Sequence, residues 1–272
     1  MNFAYTYKCN KVEYIPINFG FHHFFSPWIS VKPTGRTTFL SVMGQLILLR
    51  HGQSTWNLEQ KFTGWIDVPL TEQGVAEAHR AGELMASEGL KPDFVHTSVL
   101  VRAIRTSDIA LEVMGRSWIP VKRHWRLNER HYGALQGLNK EETKIKFSAE
   151  QVHLWRRSYD VVPPALDRAD PSHAIYDPRY ATVAPELIPD TECLATVLER
   201  MLPYYYDVMV PQLQAGLSLL VSAHGNSLRA MVMHLEEISK DEILDVEIPN
   251  GVPIVYDIDE RLTATRTHWL AH

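Results

Sequence analysis

The chain has 272 residues, of which 45% are hydrophobic and 22% charged, and its formal net charge is -5. That balance excludes a disordered or fibrous chain, and the negative sign excludes a global attraction to nucleic acid or to an acidic membrane surface. Any anion site must therefore be a local cluster of basic side chains.

Residues 1–42 are crowded with aromatics, from Phe3 and Tyr5 to Phe25 and Trp28, and show no sustained helical or strand period. They end in the turn-like Lys32-Pro33-Thr34-Gly35. From Met43 onward, apolar runs of strand length alternate with helical periods. A strand is predicted over 45–49, stopping at Arg50-His51-Gly52. Thr71 is placed to cap a helix running toward Gly89, with Val75, Ala78 and Met85 on its core face. A second strand is expected at 94–97, a helix over 98–114 and a third strand at 119–122. The more polar stretch 126–157 holds a predicted helix at 140–147. Six prolines between Pro163 and Pro189 mark a long loop-like insertion. A helix resumes near Glu192, a strand is expected at 217–222, a helix from Ser227, and strands at 252–258 and 265–269. This alternation predicts an α/β three-layer sandwich with a mostly parallel sheet flanked by helices.

Cys9 and Cys193 are the only cysteines, too few for a disulfide framework and in no spaced metal motif. No apolar run approaches the roughly 20 residues of a membrane span, and residues 1–7 lack a secretory pattern. The expected location is the cytoplasm.

Two predicted strands end alike, in Arg50-His51-Gly52 and Ala223-His224-Gly225. Ligands of open α/β sheets sit outside the carboxyl ends of the strands, and a glycine there permits close backbone approach to a ligand. If the two strands are neighbours, both imidazoles face one pocket. A neutral imidazole is a competent nucleophile toward phosphorus. The charge that develops on a transferring phosphoryl group needs positive neighbours, and Arg50 adjoins His51. Ser98, Arg102 and Thr106 share one face at the expected start of a helix, a place suited to a phosphate.

Arg50-His51-Gly52-Gln53-Ser54-Thr55-Trp56-Asn57 resembles the signature of the histidine phosphatase superfamily. The segment from Leu127 to Lys140, with Asn128-Glu129-Arg130-His131-Tyr132-Gly133, is more specific. It resembles the 2,3-bisphosphoglycerate-dependent phosphoglycerate mutases, as do Phe62-Thr63-Gly64-Trp65, Trp155-Arg156-Arg157 and Ala223-His224-Gly225-Asn226-Ser227-Leu228-Arg229-Ala230. The likeness spans about 43–270. It implies a six-stranded sheet and interconversion of 3-phosphoglycerate and 2-phosphoglycerate through a phosphohistidine, primed by 2,3-bisphosphoglycerate without a metal. His51 is the implied nucleophile, with Arg50, Asn57, Arg102 and His224 around the phosphoryl group. Glu129 is the implied general acid and base. Thr63, Gly64, Tyr132, Lys140, Arg156, Arg157, Gly225 and Asn226 are the implied contacts of the rest of the substrate. The expected partners are small phosphoglycerates and further copies of the chain, as a dimer or tetramer.

The same motifs leave a broad-specificity histidine phosphatase or a bisphosphoglycerate mutase as alternatives. Ser54 stands where the latter branch usually has Gly. Three departures from the family stand out: Gln53 in place of the usual Glu, a chain end at Trp269-Leu270-Ala271-His272 where many members continue with a closing tail, and the front 42 residues. The expected division is an N-terminal extension over 1–42 and a catalytic domain over 43–272. The extension is either an upstream reading before a true start at Met43 or a genuine segment that packs on the domain or addresses it.

Overall fold

The computed structural model describes residues 42–269. All but the last residue of the expected extension, and the chain end 270–272, lie outside the described residues.

The elements run in chain order as β1 (Val42–Arg50), α1 (Thr55–Leu58), α2 (Glu72–Ser87), β2 (Phe94–Thr97), α3 (Val101–Val113), β3 (Val121–Arg123), α4 (Lys140–Phe147) and α5 (Ala149–Arg157). Then come α6 (Leu194–Tyr204), α7 (Val210–Gln214), β4 (Ser218–Ala223), α8 (Gly225–Leu235), β5 (Pro253–Asp259) and β6 (Ala264–Trp269). One six-stranded sheet has the order β3-β2-β4-β1-β5-β6. β3, β2, β4 and β1 are mutually parallel; β5 alone runs against them, and β6 turns back to their direction.

Alternate residues of β1 enter two different cores. Leu46 and Leu48 pack with Leu194, Met201, Leu213 and Leu228 of α6–α8. Ile47 and Leu49 pack with Ala81 and Met85 of α2 and with Ala110 and Leu111 of α3. A strand covered on both faces has no polar side to alternate with, which is why 46–49 is an unbroken apolar run. The result is the three-layer arrangement expected from the alternation.

Thr71 does cap α2, accepting from the Gly74 N–H at 3.0 Å, and Gly89 closes it with φ +69°. Val75 is not a core residue: it is 37% exposed, whereas Gly74, Ala78, Ala81, Gly82 and Met85 form the buried stripe. One residue along a helix turns the side chain by about 100°, enough to carry Val75 off that stripe. Helix α3 starts at Val101 rather than at Ser98. The polar stretch holds a second helix, α5, beyond the single one expected at 140–147. Ser148, with φ 77°, breaks the chain after α4 and caps the new helix by accepting from Gln151 N–H at 3.2 Å. The proline-rich insertion remains largely irregular, with three 3₁₀ turns and a small core of Ala174, Tyr180 and Ile188 against Trp65.

Burial is the main force holding His96, His124 and His131 neutral. His96 and His124 are pushed down to about 4 and His131 to about 3, with Lys122, Arg126 and Arg200 as contributing positive neighbours. Each regains its ordinary value of about 6.5 when the chain unfolds. The unfolded state therefore binds more protons below that pH, and the stability present above it is lost as pH falls. The melting temperature is expected to hold from about pH 8 to about pH 7 and to decline progressively below about pH 6. A thermal melt series that stays level down to about pH 4.5 would contradict this.

Candidate active site

β1 and β4 are neighbours, with Arg50 paired to Ala223, so their two histidines leave the sheet side by side. His51 N–H donates to Ala223 O at 3.0 Å, and the rings of His51 and His224 lie 5.0 Å apart at 62°. His51 Nδ1 is 2.6 Å from Gly52 O. A carbonyl can only accept, so Nδ1 carries the proton and Nε2 keeps a free lone pair. Burial, then the charges of Arg102 and Arg50, hold this imidazole well below its ordinary value, outweighing the Gly52 bond. His51 thus presents an unprotonated Nε2 at neutral pH.

Gly52 serves a different close approach from the one expected. A Cβ there would lie 2.1 Å from Gly74 O, so the glycine admits the first turn of α2 rather than a ligand. Its N–H donates to Thr106 Oγ1 at 3.1 Å, tying the turn to α3.

His51 opens onto a cavity of about 220 Å³ lined by thirteen of the fourteen residues singled out from the sequence. The exception is His224, fully buried behind His51 with Nε2 2.8 Å from Ser98 Oγ. Burial, then Arg102 and the His51 ring, hold it well below its ordinary value. Seven basic side chains and two carboxylates line the cavity, against a chain that is acidic as a whole.

Arg102 is almost fully buried, with its guanidinium held by Ile66 O at 2.9 Å and Gly64 O at 2.8 Å. Burial pushes it down to about 10, against the opposing carboxylates Glu129 and Asp67, so it stays charged at neutral pH. Asp67 also corrects an expectation. Its Oδ1 accepts from Val101 N–H at 2.7 Å, so the start of α3 already holds a carboxylate. Anion binding on this side rests on the guanidinium alone.

Glu129 lines the same cavity as His51. Its Oε1 accepts from Arg130 N–H at 2.7 Å and from Asn226 N–H, at the start of α8, at 3.1 Å. Oε2 has only the Asn226 N–H at 3.5 Å and is the oxygen left to handle a proton. Tyr132 Oη accepts from Arg130 Nη2 at 3.0 Å and Asn226 Nδ2 at 3.2 Å, which leaves its own hydrogen to donate. Burial raises this phenol, but the charge and hydrogen bond of Arg130, with Arg156, outweigh it and lower it overall. Asn57 spends Oδ1 on Ser54 N–H at 3.1 Å and so offers Nδ2 to the cavity. Lys140, at the start of α4, is lowered by burial and then by Arg156. Arg156 and Arg157 end α5, and Arg157 pairs with Glu247.

Gln53 lies outside the lining; its Oε1 accepts from Thr71 Oγ1 at 2.9 Å, so this departure from the family falls at the cap of α2. Lys61, Phe62, Arg229, Glu247 and Ile248 line the cavity without having been singled out for roles. Phe62 and Arg229 stand inside the recognised segments. Lys61 lies beside one, and Glu247 and Ile248 carry no local signal. Arg229 donates to Asn226 Oδ1 at 3.1 Å, Arg157 O at 3.0 Å and Ile243 O at 2.5 Å, joining α8 to the end of α5. Among the described residues, no group of three or more His, Cys, Asp or Glu is placed to hold a metal. No helix among them is long and apolar enough to cross a membrane.

Residues 46–174 match the family described as histidine phosphatase superfamily (branch 1). A 2,3-bisphosphoglycerate-dependent phosphoglycerate mutase of Thermobifida fusca (strain YX) is 56% identical over 225 residues, 83% of this chain and 91% of that protein. The fold is also that of a solved mycobacterial hydrolase, at a TM-score of 0.64 and 21% identity over 84% of this chain and 98% of the other. A mycobacterial glucosyl-3-phosphoglycerate phosphatase matches at a TM-score of 0.63 and 21% identity, over 84% and 99% of the two chains.

Proposed function

The chain belongs to the 2,3-bisphosphoglycerate-dependent phosphoglycerate mutases of the histidine phosphatase superfamily, and on that premise we propose that it interconverts 3-phosphoglycerate and 2-phosphoglycerate through a phosphorylated His51. The observation that carries this reading is the unprotonated Nε2 of His51 in a cavity dominated by basic side chains, with the Glu129 carboxylate in the same lining.

The roles are those that the resemblance implies. His51 Nε2 attacks the phosphorus of bound 2,3-bisphosphoglycerate, and the phosphoryl group passes to nitrogen while the P–O bond to the substrate breaks. Arg50, Arg102 and Asn57 surround the group and stabilise its equatorial oxygens, while His224, buried behind the His51 ring, stands one layer back from it. Glu129 gives a proton to the departing hydroxyl oxygen and takes one from the hydroxyl that attacks on the return. Thr63, Gly64, Tyr132, Lys140, Arg156, Arg157, Gly225 and Asn226 hold the carboxylate and the phosphate that does not move, the paired guanidiniums being suited to bidentate contacts. The intermediate turns over between the two transfers. Positive charge comes from side chains, so no metal enters. The enzyme works in the cytoplasm as a dimer or tetramer.

The test is purified protein with 3-phosphoglycerate and coupled enolase. Turnover is expected to need a trace of 2,3-bisphosphoglycerate, to survive exhaustive EDTA and to be inhibited by vanadate. Complete loss in EDTA, restored by manganese, would rule the mechanism out. Release of inorganic phosphate without 2-phosphoglycerate would instead identify a phosphatase.

The catalytic unit is residues 43–272, and 1–42 is dispensable. Among the described residues, none that lines the cavity precedes Arg50. A chain begun at Met43 is expected to match the full chain in melting temperature and turnover; a large drop in either shows that the front segment belongs to the folded enzyme.

A further inference from the structure

Glu192 and Arg200 form an ion pair with Nε 2.5 Å from Oε1, and their side chains are only 2% and 8% exposed. Neither lines the cavity. A buried pair is costly to desolvate and is weak evidence for stability by itself, so what its remaining hydrogen bonds hold is informative. Arg200 Nη1 donates to Arg126 O at 2.6 Å, and Nη2 donates to Asn128 O at 2.9 Å and to Glu129 O at 3.0 Å. Glu192 Oε2 accepts from His131 N–H at 2.8 Å while also holding Arg200 Nη2 at 3.1 Å. In return, Arg126 Nη1 donates to Arg200 O at 2.7 Å. The backbone groups that the pair holds belong to Arg126, Asn128, Glu129 and His131, all within three residues of Glu129.

A third group joins them. Trp65 Nε1–H donates to Glu129 O at 2.6 Å, and the Arg200 guanidinium lies over the Trp65 ring at 5.6 Å. The carbonyl of Glu129 therefore accepts from both Trp65 Nε1–H and Arg200 Nη2, and the two donors pack against each other.

We propose that the Glu192–Arg200 pair is a positioning device for Glu129: it fixes the backbone over 126–131 so that the carboxylate meets the substrate hydroxyl in a reactive geometry. A planar guanidinium suits the task, because a rigid fork reaches several carbonyls at once where an ammonium is a single point charge. Misplacement of a reacting group by about 1 Å costs on the order of 10²-fold in rate. The inference rests on Glu129 being the acid and base.

The experiment is a double-mutant cycle on the full chain. Arg200→Lys keeps the charge and loses the fork; Glu192→Gln keeps the acceptor for His131 N–H and loses the ion pair. Each is expected to lower kcat by about 10- to 100-fold with KM within about 3-fold, while phosphoglycerate still protects against heat. Combined with Glu129→Gln, neither is expected to lower kcat further, because residues acting through one group are not additive. Losses that multiply with Glu129→Gln, or that fall on KM, would overturn the proposal. So would failure of both single variants to fold, which would make the pair structural only. Should Glu129→Gln alone leave turnover unchanged, the acid–base assignment has failed instead, and the two results are told apart by that one arm.

Discussion

Replacement of His51 by alanine is expected to lower turnover by at least about 10⁴-fold, the scale on which an enzyme loses activity when its nucleophile is removed. Incubation with 2,3-bisphosphoglycerate labelled in its phosphates is expected to leave one acid-labile, base-stable phosphoryl group on the native chain and none on His51→Ala. Alternatives are few inside the cavity, because His224 spends its Nε2 on Ser98 Oγ behind the His51 ring. The tautomer adds a second expectation. Nδ1 is committed to Gly52 O, and burial with Arg102 and Arg50 holds the ring well below its ordinary value. Phosphorylation of His51 should therefore not weaken between about pH 8 and about pH 6, where an ordinary histidine loses its lone pair to a proton. Label that persists in His51→Ala would remove the assignment. A rate that halves near pH 6.5 in the native enzyme would show that the imidazole is not held as the geometry indicates.

Replacement of Glu129 by glutamine is expected to lower kcat by roughly 10²–10⁴-fold, with a smaller change in KM. Glutamine keeps the volume and can still accept from Arg130 N–H and Asn226 N–H through its carbonyl oxygen, the two bonds that Oε1 makes now. What it loses is the ability to take and return a proton at the second oxygen. A fold change measured by circular dichroism would therefore be small, and the loss would sit in the chemical step. A variant that turns over as fast as the native enzyme would show that this carboxylate only anchors the start of α8.

The contrast between these two sites shows how far sequence carries the argument. His51 was legible because its signal is local: an apolar run, a strand end, then Arg-His-Gly. Glu129 was legible only through the likeness of its whole segment to a family, since a single Glu in a polar stretch carries no local signal. What holds Glu129 in place was not legible at all. Arg200 and Glu192 sit more than sixty residues away, on and just before α6, and nothing in that helix's periodicity says that one of its buried positions is a guanidinium aimed at 126–131. The α3 start was misplaced for a related reason. Ser98, Arg102 and Thr106 do have helical spacing, but Val101 N–H is claimed by Asp67, 34 residues earlier, and that distant carboxylate decides where the helix begins.

By itself the sequence determined the layered α/β class, the order of the strands and of the longer helices, and the two histidines at strand ends, because each follows from apolar periodicity and turn residues within a few positions. Tertiary structure alone decided that β1 and β4 are adjacent, that Val75 faces solvent, that Arg102 is buried yet still charged, and that His51 keeps Nε2 free. These are properties of burial and of partners brought from elsewhere in the chain. Asn226 reaches Glu129 across 97 residues, and Arg50 reaches Ile248 across 198. No local window holds both members of such a pair. The charge state, the tautomer and the aim of a catalytic side chain therefore emerge only when the sheet closes and water is removed from around them.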